Sequence, residues 1–116
     1  MILFRTLLVV IFLALVGYTA IVVNNHGMGL LPVFFGDIAE MAWPGQFNLD
    51  FMCFLVLSAV WVSWRHEFSG VGLLLGLIAF FGGALFLSIY LFIQSFMVNG
   101  SFAALLVGPR RVGATA

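Results

Sequence analysis

Apolar side chains follow one another almost without interruption over residues 2–23, broken only by Arg5 and a few small polar residues. About 20 such residues, at 1.5 Å each, cross the roughly 30 Å hydrocarbon layer of a bilayer. The pattern predicts a membrane helix over 2–23. Arg5 sits near its start, where a long side chain reaches back to the headgroups. Asn24-Asn25-His26-Gly27, a run of poor helix formers closed by a glycine, predicts its end. A basic residue before an apolar run also resembles a secretory signal, but this run exceeds the usual length of a signal core, so a retained helix is expected.

Residues 24–46 are too broken to span. Gly27, Gly29, Pro32, Gly36, Asp37, Glu40, Pro44 and Gly45 alternate there with large apolar side chains such as Leu30, Phe34, Ile38 and Trp43. Such a mixture suits a segment lying in the membrane interface. Asp37 with Glu40 three positions on reads as a capping box, predicting a short helix over 38–43. A second span follows over 47–64, with Asn48 as the candidate cap and Trp43, Trp61 and Trp64 placed as interfacial aromatics. The tight turn Arg65-His66-Glu67-Phe68-Ser69-Gly70 then forces an antiparallel return. A third span is predicted over 71–96; roughly 26 residues measure about 40 Å, so it must tilt or protrude. Asn99-Gly100 closes it, and in the tail 97–116 the apolar patch Phe102–Val107 is too short to cross.

Composition agrees with this pattern. Of 116 residues, 65% are hydrophobic and 7% charged, far too few charges to clothe a water-soluble domain. The expected fold is therefore all-α: one integral membrane bundle of three transmembrane helices with an interfacial segment between the first two. The formal net charge is zero and there is no lysine, which excludes a nucleic-acid-binding surface. Cys53 is the single cysteine, so no intrachain disulfide forms. With three crossings, Arg5 and Arg65 share one side while Arg110 and Arg111 occupy the other, and the positive-inside rule balances. A cytoplasmic N-terminus in a bacterial inner membrane is the expectation, because Arg5 and Arg65 abut their helices.

Chemistry is sparse. On the third span Gly72, Gly76, Ala79 and Gly83 fall within an arc of about 60° at 100° per residue, and the same stripe continues to Tyr90 and Gln94. Small residues let helices approach closely in lipid. This face suits internal packing, docking of another membrane subunit, or a groove for a bound lipid, quinone or pigment. Asp50 is an ionisable group inside a span, a functional candidate by default, although a carboxylate near a helix start also suits the helix dipole. Its own stripe, Phe54, Leu57, Trp61 and Trp64, is aromatic and gives no polar path. His26 and His66 fall on opposite sides and cannot share one haem. Asp37 and Glu40 are a thin metal set without further ligands. No nucleophile has a base, so neither an enzyme nor a resident cofactor is expected.

The stretches Leu49-Asp50-Phe51 and Val60-Trp61-Val62-Ser63-Trp64-Arg65-His66-Glu67, followed by Gly82-Gly83, Tyr90 and Gln94-Ser95-Phe96, resemble a family of small plant and bacterial integral membrane proteins of unknown function. The resemblance covers residues 47–107, about half of the chain, and leaves the connector outside. It implies the second hairpin, favours Asp50, Arg65, Glu67, Tyr90 and Gln94 as functional residues, and implies no activity. The leading expectation is a non-catalytic accessory or assembly subunit of a larger respiratory or photosynthetic membrane complex. The alternative is a small oligomeric carrier or channel lined by Asp50, Tyr90 and Gln94.

Overall fold

A computed structural model describes residues 1–109 and 111. They form five helices: α1 (Ile2–His26), α2 (Leu30–Ala39), α3 (Trp43–Arg65), α4 (Gly70–Met97) and α5 (Phe102–Val107). The fold is all-α, and by length and composition alone α1, α3 and α4 are each sufficient to cross a membrane. Of the residues in α1 only Leu8 is buried, so nearly the whole helix faces outward with apolar side chains. That surface demands lipid.

The boundaries differ from the sequence expectation in instructive ways. α1 continues through Asn24, Asn25 and His26 and ends at Gly27, whose φ of 75° suits a residue without Cβ. The connector helix is Leu30–Ala39, not 38–43, because Pro32 falls in its first turn, where the missing N–H is no loss. Asp37 is therefore no cap; it lies in the last turn of α2. α3 starts at Trp43 with Pro44 in its first turn, a residue already set to helical φ. Asn48 consequently lies inside α3. Instead of capping, its amide donates to the Phe34 carbonyl at 3.1 Å and to Asp37 Oδ2 at 3.4 Å. These bonds and the contact of Gly45 with the Asp37 carbonyl dock α2 antiparallel on the first turns of α3.

Between α3 and α4 the turn holds Glu67 and Phe68 at φ of 59° and 55°, and Ser69 then caps α4 by accepting from the Gly72 amide at 3.1 Å. α4 does not run straight. At Gly83 the backbone leaves helical geometry, with φ 56° and ψ −142°. Before that break Gly72 packs on His66 and the Ser63 carbonyl, Gly76 on Ser63 and Ala59, and Gly83 itself on Phe51 and Leu55. This first arm thus descends antiparallel along α3. Past the break Tyr90 is back beside His66, its Oη 2.6 Å from Nε2. A straight helix would hold Gly72 and Tyr90 about 27 Å apart, yet both touch His66. The chain doubles back at Gly83.

The two arms and α3 enclose a core of Val62, Ala79 and Tyr90, packed by Trp61, Leu75, Phe86, Leu87 and Leu91. α1 lies along the second arm, where Arg5 Nε donates to Ser95 Oγ at 2.9 Å. A turn through Asn99 and Gly100, both at positive φ, leads into α5. There Val98, Ala104 and Leu105 pack with Met1, Phe4 and Leu91. The small-residue stripe is internal: Gly72, Gly76, Ala79, Gly83 and Tyr90 are all buried. It is no single stripe, however, because the break at Gly83 puts Tyr90 and Gln94 on a different arm from the glycines.

A Cβ at Gly83 would meet the Phe51 ring at 3.1 Å and Leu55 at 3.4 Å, on a backbone few L-residues adopt. Gly83→Val should therefore lower stability by about 3 kcal/mol, one for strain and the rest for displacing the Phe51 ring and Leu55. Gly17→Ala, with open space around it, should be neutral or better. Denaturant unfolding in detergent, followed by tryptophan fluorescence, measures both.

Candidate functional site

The last residue of α3 is the chemical centre of the molecule. Arg65 retains 5% exposure, and an arginine so placed needs acceptors for its N–H groups. Nε donates to the Leu105 carbonyl at 2.6 Å and Nη2 to that of Ala104 at 3.4 Å. Nη1 donates to Tyr90 Oη and to Gln94 Oε1, each at 3.0 Å. All four acceptors are neutral oxygens. The charge is stabilised by dipoles, two of them carbonyls at the negative end of α5.

The same contacts complete α5. A helix leaves its last four carbonyls without internal partners. That of Ala104 takes the Gly108 amide at 2.8 Å and Arg65 more distantly, that of Leu105 takes Arg65, that of Leu106 takes Trp61 Nε1 at 3.0 Å, and that of Val107 takes Arg111 at 3.4 Å. Arg111 also donates to the Trp64 carbonyl and lies 3.9 Å over the Trp64 ring. Beyond the helix Gly108, at φ 92°, presses on the Arg65 carbonyl with no room for a side chain. A six-residue helix too short to persist alone is thus pinned over the end of α3.

Tyr90 links two groups. Its oxygen accepts from Arg65, which leaves its hydroxyl hydrogen free to donate to His66 Nε2. Phe86 stacks on the ring at 5.6 Å and Trp61 meets it edge-on at 6.2 Å, fixing its rotamer. Accepting at Nε2 requires a neutral imidazole. Burial, and secondarily the Arg65 charge, hold the pKa of His66 below its ordinary value.

Of the residues singled out in the sequence, Arg65, Tyr90 and Gln94 meet in this cluster. Glu67 is exposed in the turn outside it. Asp50 is exposed on α3 well below it, near the level of Phe51 and the Gly83 break. His26 is exposed at the far end of α1. His66, considered in the sequence only as half of a haem pair, is the partner of Tyr90. The α5 carbonyls carry no side-chain signal, and His66 meets Tyr90 only because α4 doubles back, so neither was visible in the sequence. Among the described residues no group of three or more His, Cys, Asp or Glu gathers to hold a metal. At the end remote from Arg65, an open cavity of about 600 Å³ separates α1 from α2, lined by Tyr18, Val22, His26, Met28, Leu30 and Val33. Its walls are mostly apolar, matched to an acyl or isoprenoid chain more than to a polar solute.

The fold and cluster define a class: a small helical protein of membrane type, closed by a hydrogen-bonded arginine at one end. No protein-family model, curated protein or solved structure matches the chain.

Arg65→Leu leaves the Gln94 Oε1 and the Leu105 carbonyl without a donor and should cost about 3 kcal/mol. Arg65→Lys should recover little, since one ammonium cannot reach acceptors spread around a planar fork. Unfolding in detergent reads both. Because the folded protein holds the His66 pKa below the ordinary value near 6.5, it binds fewer protons than the unfolded chain in that window. The stabilisation is complete above that value and declines as the pH falls towards the folded pKa. Unfolding midpoints measured from pH 8 to 5 should fall for the native protein, with a shallower decline in His66→Gln.

Proposed function

We propose that the protein is a non-catalytic accessory or assembly subunit of a larger membrane complex, of respiratory or photosynthetic type, in a bacterial inner membrane. The observation that carries this reading is where its polar chemistry points. Arg65, His66, Tyr90 and Gln94 bond to one another and to α5, so among the described residues this cluster spends its polar groups internally. The outer faces, by contrast, are broad and apolar: α1 exposes Leu7, Val10, Leu13, Tyr18 and Ile21, and α3 exposes Phe47, Phe54 and Leu57. Such faces fit lateral contact with lipid and with neighbouring helices, where close packing rather than chemistry supplies affinity. Quinone, pigment or lipid tails are the ligands that the apolar cavity between α1 and α2 suits.

A second reading, a small oligomeric carrier or channel, draws on Asp50. A carboxylate exposed on a membrane helix needs water or a polar partner, and neighbouring copies would supply one. The two readings part in one experiment. Purification in mild detergent after crosslinking in the native membrane should return the chain with a fixed set of stoichiometric partners. Recovery of the chain alone, or of a homo-oligomer that moves an ion across liposomes and loses this in Asp50→Asn, would reject the accessory role.

A further inference from the structure

We infer that the chain crosses the bilayer twice, on α1 and α3, that α4 enters and leaves by the face carrying Arg5, Arg65 and Arg111, and that this face is cytoplasmic. The first ground is length. α1 and α3, at 25 and 23 residues, are each sufficient for the hydrocarbon layer. The two arms of α4, residues 70–82 and 84–97, measure about 20 Å each and stop short of it. The second ground is the contact pattern. His66 touches Gly72 on one arm and Tyr90 on the other, while Gly83 between them packs on Phe51 and Leu55. Both ends of α4 therefore lie at the Arg65 end of α3, and its apex lies at depth. Non-helical backbone at membrane depth is tolerated where protein covers it, and Gly83 is buried under those two side chains.

The third ground is charge. Three crossings would divide the arginines evenly between the two sides. The hairpin instead collects Arg5, on Ser95 of the second arm, Arg65, and Arg111, on Trp64, at one end. Met1 packs beside Gly100 at that end too. The opposite end, at the α2–α3 junction, carries Asp37 and Glu40. Arginine near helix ends fixes the cytoplasmic side. One consequence concerns partners: the apolar cavity between α1 and α2 opens towards the opposite leaflet, so whatever fills it arrives from there.

The test is sidedness. In a Cys53→Ser background, Gly70→Cys and Asn99→Cys mark the two ends of α4, and Met28→Cys marks the α1–α2 turn. A membrane-impermeant maleimide should label the first two only in inside-out vesicles, and Met28→Cys only in intact spheroplasts. Labelling of Gly70→Cys and Asn99→Cys from opposite sides would show that α4 crosses and overturn the hairpin. Labelling of both from the spheroplast exterior would overturn the cytoplasmic assignment. Reporter fusions to the C-terminus of the native chain need no substitution: green fluorescent protein should fluoresce and alkaline phosphatase stay inactive, and active phosphatase would overturn the cytoplasmic assignment of this end.

Discussion

A guanidinium drawn away from water keeps its charge and its five N–H donors, and the surrounding structure must answer both. In this protein the answer is built from parts far apart in the chain: a phenol and an amide from α4 and two carbonyls from α5. Each of those parts depends on Arg65 in turn. The Leu105 carbonyl has no backbone partner, Tyr90 is held between the guanidinium and His66, and Gln94 is drawn in from the second arm of α4. Charge burial and helix termination solve each other's problem at one point.

The break at Gly83 is what makes that meeting possible. Were α4 straight, its last turns would lie far from the end of α3, and Arg65 would face lipid headgroups alone. Doubling back costs regular backbone geometry at one residue, and the sequence supplies a glycine there beneath Phe51 and Leu55. The glycines at 72 and 76 serve a different purpose: they bring the first arm against Ser63 and Ala59 closely enough for van der Waals contact to hold two helices in a medium where both faces are equally apolar.

The result is a molecule with two unlike ends. One is dense and crossed by hydrogen bonds among Arg5, Ser95, Arg65, Tyr90, Trp61 and α5. At the other, α1 and α2 diverge around an apolar cavity and α2 is secured mainly by Asn48. A rigid end and an open end suit a protein that is itself firmly folded yet offers apolar surface to neighbours and lipid chains, which is the sense of the accessory role proposed above.

Unbroken apolar runs and the scarcity of charge determined, without any coordinates, that this is an all-α chain with three long membrane-compatible helices and a shorter segment after the first. The periodicity of Gly72, Gly76 and Ala79 likewise marked one face of small residues, because 100° per residue holds within any unbroken arm. Beyond Gly83 that arithmetic lapsed. A helical wheel assumes a continuous axis, and one glycine at positive φ redirects it without any signature to separate it from the other glycines of the same helix. The partnership of Arg65 with Tyr90, Gln94 and α5, and the role of His66, follow from that redirection and from backbone carbonyls that every residue possesses. Only the tertiary structure decided them, since a hydrogen bond between distant segments depends on where the chain turns, and local residue preferences constrain that turn weakly.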